Sequence, residues 1–541
     1  MTANAAEESI KVFASNLRQL LLQSPLKNSV ILGLDPGYRT GCKVAVIDST
    51  GKVLDTNIVY CTPGPKTNIE ASKRIIRSLI EKHNVTTISI GNGTASRETE
   101  SFVAELLKEI PQKVSYMVVS EAGASVYSAS KLAAEESGMG LYEDKINKNK
   151  GKARIIWSFL KDKKSVGVIS RDDRTCITEV ARPMGVVAAI TPCTNPIVTP
   201  MCNAMYAIKG RNAIIIAPHP RAKKCARVVT DLFRGEIERL GAPADLVLLV
   251  EEPSTALSAE LMSKCDVVVA TGGMGMVKAA YSSGKPAYGV GAGNVQCIID
   301  RGVDYREAAP KIIEGRRFDN GIICSGEQTI LVPKEDYDEI INIFTENGCA
   351  YIERPEDVRR LRDTLFTVTE TGGYAMNKKL VGQSAVCVAQ EAGIEVPADT
   401  KVLLVKADGR GKDDCLSKEK MCPVISAYAY DTWEDAVAIA QANLDVEGRG
   451  HSVAIHSHNK EHIEYAANHV TVCRVLVNQI CSTMNGGSFF NSLTPTTTLG
   501  CGSWGNNSIS ENFSYKHLIN ITRIAYEIPG AKAPSDEEIF Q

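Results

Sequence analysis

The chain has 541 residues, 44% hydrophobic and 23% charged, with 61 basic against 63 acidic side chains. That arithmetic excludes a collagen, a disordered tail and a small disulfide scaffold, and the length predicts several domains, each able to bury its own core. A net charge of −2 supplies no overall field toward nucleic acid or an anionic membrane, although a local basic patch stays open.

The 16 cysteines contain no Cys-x-x-Cys pair, and spacings such as Cys415/Cys422 and Cys193/Cys202 fit neither zinc nor redox motifs. They read as reduced thiols of a cytoplasmic protein. The opening Met1-Thr-Ala-Asn-Ala-Ala-Glu-Glu is acidic where a signal peptide is basic, and no stretch approaches ~18 uninterrupted apolar residues, so no membrane is expected.

Ile10, Val12, Phe13, Leu17, Leu20, Leu21 and Leu22 recur at roughly helical spacing before Pro25, which predicts a leading amphipathic helix. Runs at Val30–Leu34, Lys43–Asp48 and Val53–Val59, parted by Asp35-Pro-Gly-Tyr and Ser49-Thr-Gly, predict a three-stranded antiparallel meander. A helix around Asn68–His83, a strand Thr87–Ile90, a helix around Thr99–Leu107 and a strand Ser115–Val119 complete a β-β-β-α-β-α-β order. With Asp35 closing the first strand, this order and the segments "ILGLDPGYRTGCKVAVID", "IGNGTASRETE" and "VSEAGASVYSASKLAAEE" resemble the RNase H-like domain of the transcription accessory protein Tex, over about residues 8–135.

Nuclease chemistry on that fold needs three or four carboxylates converging on metal ions. Asp35 is in place, Gly91-Asn92-Gly93 offers no acid, and Glu98, Glu100 and Glu121 read as surface or cap residues. The last acidic helix of the fold is missing. The expectation is a truncated, inert RNase H-like domain.

From about Ser137 the pattern becomes strands followed by Gly/Pro loops and helices. Met184–Thr191 leads through Pro192-Cys-Thr-Asn-Pro196 to a helix Thr199–Ile208; Asn212–Ile216 leads through the loop Ala217-Pro-His-Pro220 to a helix Arg221–Leu240; Val267–Ala270 leads through Thr271-Gly-Gly-Met-Gly275 to a helix from Met276. Such repetition predicts a parallel sheet with a nucleotide crevice at the strand C-termini. No loop fits Gly-x-Gly-x-x-Gly or a Walker motif.

Five segments in order, "GVVAAITPCTNP", "RNAIIIAPHPRAKK", "ATGGMGMVKAAYSSGKPAYGVGAGN", "FDNGIICSGEQTILVP" and "TTTLGCGSWGNNSISEN", resemble the CoA-acylating aldehyde dehydrogenases over about residues 137–530. The expected fold class is α/β: a truncated RNase H-like domain followed by an aldehyde dehydrogenase fold, itself a doubly wound nucleotide-binding domain plus a catalytic α/β domain. The expected boundaries are 1–28 for the leading helix and linker, 29–135 for the RNase H-like domain, 136–319 for the nucleotide-binding domain, 320–500 for the catalytic domain and 501–541 for a closing segment.

The resemblance implies that Cys324 is the nucleophile, although one cysteine among 16 taken alone reads as a small core residue. A thiolate in such a loop can be stabilised by backbone N–H groups. Asn195 resembles the side-chain donor to the oxyanion, with the Cys324 amide as the second. Thr191, Pro192, Ala217, Pro218, His219, Gly272, Gly273, Gly291 and Glu419 resemble the positions that hold NAD or NADP, with coenzyme A sharing the adenosine side in turn; alone, each reads as a loop residue. Arg221, Lys223 and Lys224 suit a 2′-phosphate or an exposed helix face equally.

In hydrolytic relatives a Glu in the segment corresponding to Gly289-Val-Gly-Ala-Gly293-Asn294 activates water, and here that segment holds no carboxylate. Acyl transfer to CoA is therefore favoured over hydrolysis, unless a distant acid such as Glu327 supplies the base. The implied reaction turns an aldehyde, NAD(P)+ and CoA into an acyl-CoA through a Cys324 thioester, reversibly, with acetaldehyde or sulfoacetaldehyde as the expected substrate. Arg449 or Arg474 could pair with an anionic tail or sit as surface charges. His451, His456 and His458 show no metal-ligand partners and read as a surface strand and turn. The chain ends after the dehydrogenase region, which implies a single oxidoreductase step.

The family's opening helices are replaced by the RNase H-like piece, with the junction inside "SKLAAEESGMG". Apolar surface should be uncovered on the cofactor domain, leaving an intact centre on a less stable protein. The arm "KKSVGVISRDDRTCITEVARP" and the closing Phe513–Tyr526 resemble pairing elements and imply a homodimer or larger even oligomer. Two other readings stay open: a non-enzymatic nucleic-acid-associated fragment, and a hydrolytic aldehyde dehydrogenase.

Overall fold

A computed structural model of the protein describes residues 29–38, 41–93, 95–119, 131–370 and 372–540. The expected leading helix, Glu121 and the segment 120–130 lie outside the described residues. The chain divides into two compact units, Met1–Tyr127 and Ser128–Gln541.

In the first unit the strands run in the order Val53–Val59, Cys42–Ile47, Ile31–Asp35, Thr87–Gly91, Ser115–Val119. The first three in sequence form the antiparallel meander, and Thr87–Gly91 joins Ile31–Asp35 in parallel. Alternation along the strands sends Leu32, Leu34, Val44, Val46, Ile88 and Ile90 into one cluster with Ile76 and Ile80 of the helix Ile69–His83 and with Phe102 and Leu106 of the helix Ser96–Lys108. The Asn68 side chain caps the first of these helices, accepting from the Ala71 amide at 3.0 Å.

The second unit holds two parallel sheets. The first runs Val247–Leu249, Ala213–Pro218, Val186–Thr191, Val267–Thr271, Ala287–Val290, so strand order reverses beside Val186–Thr191 and opens the crevice typical of doubly wound sheets. Val187, Ala189, Val267 and Val269 pack on one face, and Ala188, Ile190, Val268 and Ala270 on the other. Both faces are covered, which is why these strands read as unbroken apolar runs. The second sheet has seven strands, with Glu327–Pro333 between Val295–Ile299 and Val424–Tyr430. Residues 291–294 carry the chain from the last strand of the first sheet into Val295–Ile299 of the second. The arm Gly167–Asp172 and Ile177–Pro183 pairs with the closing strand Ile519–Ala525 in a small antiparallel sheet.

One expectation changes here. The long helix from Arg221 is broken: Pro220–Ala222 is a 3-10 turn and the helix proper is Lys223–Arg239, because His219 caps the turn by accepting from the Arg221 amide at 3.1 Å. At the junction of the two resembling regions, the chain packs on the nucleotide-binding sheet's helices. A helix over 131–137 buries Ala133 with Ile197, Cys225 and Val229, and the Glu136 carboxylate accepts from the Lys224 and Cys225 amides at 3.0 Å each.

Candidate active site

At the strand C-termini of the first sheet, Thr191 is buried and accepts from the His219 amide at 2.9 Å, tying two crevice loops together. Pro192 is half-buried. Ala217 and Pro218, expected in a loop, are the last residues of the strand Ala213–Pro218 and are buried. Gly272 and Gly273 lead into the helix Met274–Tyr281, whose N-terminus has no side-chain cap. A Cβ on either glycine would meet nothing within 4 Å, so open space faces uncapped amides, which suits a pyrophosphate. Of the basic residues after the 217–220 segment, the Arg221 guanidinium donates to the Ser137 carbonyl and Lys223 pairs with Glu252 at 2.7 Å, whereas Glu136 holds only the backbone amide of Lys224, whose side chain is exposed.

Asn195 lies half-buried in the turn before the helix Val198–Lys209, and its carbonyl accepts from the Thr199 amide at 3.3 Å. Cys324 lies in the turn between Phe318–Gly321 and the strand Glu327–Pro333. Its side chain packs with Val290, Leu499 and Cys501. The 291–294 crossing presses on this turn: a Cβ on Gly293 would lie 2.8 Å from the Cys324 carbonyl carbon, and one on Gly291 would collide with the Met274 sulfur. The Gly293 amide donates to Glu419 Oε1 at 3.3 Å, so the structure joins Cys324, Gly293 and Glu419, three residues spread over 126 positions.

Burial pushes the Cys324 thiol up to about 12, with Glu419 and Cys501 adding to the rise and Arg474 opposing it. Burial and the Glu447 carboxylate push Glu419 up to about 8, against Arg316 and the Gly293 amide. Glu327 is fully buried and raised to about 8 by burial, with Oε1 accepting from the Cys481 amide at 2.7 Å.

Sequence reasoning left Arg474 open and misplaced two histidines. Arg474 is no surface charge: it is 5% exposed, with Nη1 on the Gly500 carbonyl at 2.7 Å and Nη2 on the His451 carbonyl at 2.9 Å, so its guanidinium is committed to backbone. Arg449 is exposed near Asp445. His451 and His456 are buried rather than on a surface strand. Both ring nitrogens of His451 lack a partner, and burial beside Arg474 lowers it to about 3.

Residues 29–139 match the Tex protein YqgF-like domain, and residues 102–357 match the aldehyde dehydrogenase family. Succinate-semialdehyde dehydrogenase (acetylating) of Clostridium kluyveri is 50% identical over 465 residues, 86% of this chain and 98% of that relative. The chain belongs to the acylating aldehyde dehydrogenases. Sulfoacetaldehyde dehydrogenase of an Acholeplasma species is 42% identical over 75% of this chain and 84% of its own. Among solved members of the acylating aldehyde dehydrogenases, the acetylating enzyme of Geobacillus thermoglucosidasius has a TM-score of 0.72 at 36% identity, covering 76% of this chain and 91% of that one. The propionaldehyde dehydrogenase of Rhodopseudomonas palustris, solved with bound CoA and an acylated cysteine, has a TM-score of 0.62 at 28% identity over 74% of this chain and 88% of its own. Membership accounts for the doubly wound sheet and its crevice. Among the described residues, no group of three His, Cys, Asp or Glu could hold a metal, and no helix is long and apolar enough to cross a membrane.

Proposed function

We propose that Cys324 is the nucleophile in reversible oxidation of an aldehyde by NAD(P)+ and CoA to an acyl-CoA. The observation that carries this reading is the seating of Cys324 against Gly293, in a crossing segment without any carboxylate. The Cys324 sulfur, once deprotonated, attacks the carbonyl carbon, and the C=O electron pair moves onto oxygen. That oxyanion is held by the Asn195 amide and the Cys324 N–H, donors each worth ~10²–10³ in rate. The nicotinamide cofactor, when bound between the crevice loops at Thr191, Pro192, Ala217, Pro218 and His219 and at Gly272, Gly273 and Gly291, supplies the hydride acceptor. Glu419, whose carboxylate reaches the same crossing segment, orients its ribose.

Departure of the hydride leaves a thioester on Cys324. With no carboxylate in the crossing segment to activate water, the thioester waits for the CoA thiolate, which expels Cys324 and restores the enzyme. Two similar proteins are named for succinate semialdehyde and sulfoacetaldehyde, so a short aldehyde with an acidic tail is the substrate to assay first, beside acetaldehyde. With all 16 cysteines free, we assign the protein to the cytoplasm. We assign an even oligomer to the small antiparallel sheet, which leaves Val168, Ile524 and Tyr526 exposed.

The test is NAD(P)H formation with each aldehyde, with and without CoA, in the wild type and in Cys324→Ala. CoA-dependent turnover abolished in the variant is expected. Undiminished turnover without CoA would assign hydrolysis instead, and activity retained by Cys324→Ala overturns the role of that cysteine.

A further inference from the structure

Three residues in succession, Asp319, Asn320 and Gly321, adopt left-handed backbone at φ 53°, 51° and 69°, immediately before Cys324. Gly does so freely and Asp and Asn more readily than other residues, but three in succession is uncommon and is held here by the surroundings. Those surroundings are explicit. The Asp319 carboxylate is fully buried and accepts from the Leu141 amide at 2.9 Å, from Lys145 Nζ at 2.9 Å and from Lys148 Nζ at 2.6 Å. Its own amide donates to Asp144 Oδ2 at 2.8 Å. The four side chains, two acids and two lysines, balance in charge. The Asn320 amide donates to the Gly382 carbonyl at 2.9 Å, and Gly321 backs onto Cys422, where a Cβ would lie 2.7 Å from the carbonyl carbon. Ile322 and Ile323 are buried, and Cys324 then meets Gly293.

We propose that Asp319 is the positioning residue for Cys324: clamped by Lys145 and Lys148, its carboxylate fixes the left-handed turn that sets where the nucleophile lies. The inference rests on the reading of Cys324 as nucleophile. Every residue between anchor and sulfur is pinned by its own contact, so movement at Asp319 is passed along the turn instead of being absorbed. The clamp also makes the start of the helix Tyr142–Leu160 part of the active centre, since Asp144, Lys145 and Lys148 all lie there. Asp319 touches no reacting atom and acts only through the backbone.

The test compares full-length wild type, Asp319→Asn and Lys148→Gln, by steady-state kinetics and by mass spectrometry of iodoacetamide labelling at the Cys324 peptide across pH. A nucleophile displaced by about 1 Å costs ~10²-fold in kcat, and that loss is expected for Asp319→Asn, with the cofactor KM unchanged. Release from burial and from Glu419 should move the Cys324 labelling profile down by about one pH unit. A merely structural role lowers the folded fraction and leaves both kcat per folded enzyme and the labelling profile at wild-type values, which overturns the proposal. Should Asp319→Asn not fold, Lys148→Gln decides: a kcat loss of ~10-fold with the same profile shift supports it, and wild-type values overturn it. Labelling reports on Cys324 without turnover, so an active Cys324→Ala protein would sink the nucleophile reading separately.

Discussion

Gly293 and Cys324 touch backbone to backbone: a Cβ on Gly293 would lie 2.8 Å from the Cys324 carbonyl carbon and 3.2 Å from its Cβ. No flexible side-chain end stands between them to yield. Gly293→Ala must therefore shift either the crossing segment or the nucleophile turn, and a fall in kcat of ~10²-fold is expected in steady-state assays. Gly235→Ala is the comparison. It lies exposed in the helix Lys223–Arg239 with nothing within 4 Å of its Cβ, so kcat should hold while thermal stability rises by about 1 kcal/mol.

Burial dominates the raised Cys324 thiol, and Glu419 adds to it only when charged. Glu419 titrates at about 8, so at pH 6.5 it is neutral and Glu419→Gln should label at Cys324 as the wild type does. At pH 9.5 the wild-type carboxylate repels the thiolate, and the variant should label several-fold faster. Equal rates at both pH values would show that this charge does not reach the sulfur.

His451 makes acid destabilising. In the unfolded chain a histidine binds its proton near pH 6.5, whereas in the fold it does so only at about 3. Between those values the unfolded state holds more protons. The contribution of neutral His451 is complete above 6.5 and drains away as pH falls toward 3, by about 2 kcal/mol at pH 5. Melting curves at pH 7 and 5 should show a smaller drop for His451→Leu than for the wild type.

The RNase H-like unit should not cut nucleic acid. Asp35 faces Lys43 at 3.2 Å, and Glu98 accepts from the Tyr38 hydroxyl at 2.8 Å, so neither acid is turned toward a shared ion. Incubating the protein with labelled RNA and DNA in Mg2+ or Mn2+ should leave them whole. Cleavage abolished by Asp35→Asn would revise that reading.

Glu136 sits where the two sequence resemblances meet. Its carboxylate closes the N-terminus of the helix Lys223–Arg239, and Glu136→Ala should cost about 1 kcal/mol, read as a lower thermal midpoint. A wild-type midpoint equal to that of an unfused relative would count against any instability introduced by the fusion.

The sequence by itself settled the strands, because period-two alternation in Ile31–Asp35 and unbroken apolar runs in Val186–Thr191 and Val267–Thr271 are local properties of neighbouring side chains. It also settled the family, since five segments in fixed order are legible without coordinates. It could not tell that His451 and Arg474 are buried: a polar residue inside a fold looks like one outside until the elements that cover it are known. Nor could it find the clamp on Asp319, whose partners Lys145 and Lys148 lie more than 170 positions away. The crowding of Gly293 against Cys324 is likewise tertiary, because it depends on how the crossing between two sheets meets a turn, and no spacing along the chain encodes that distance.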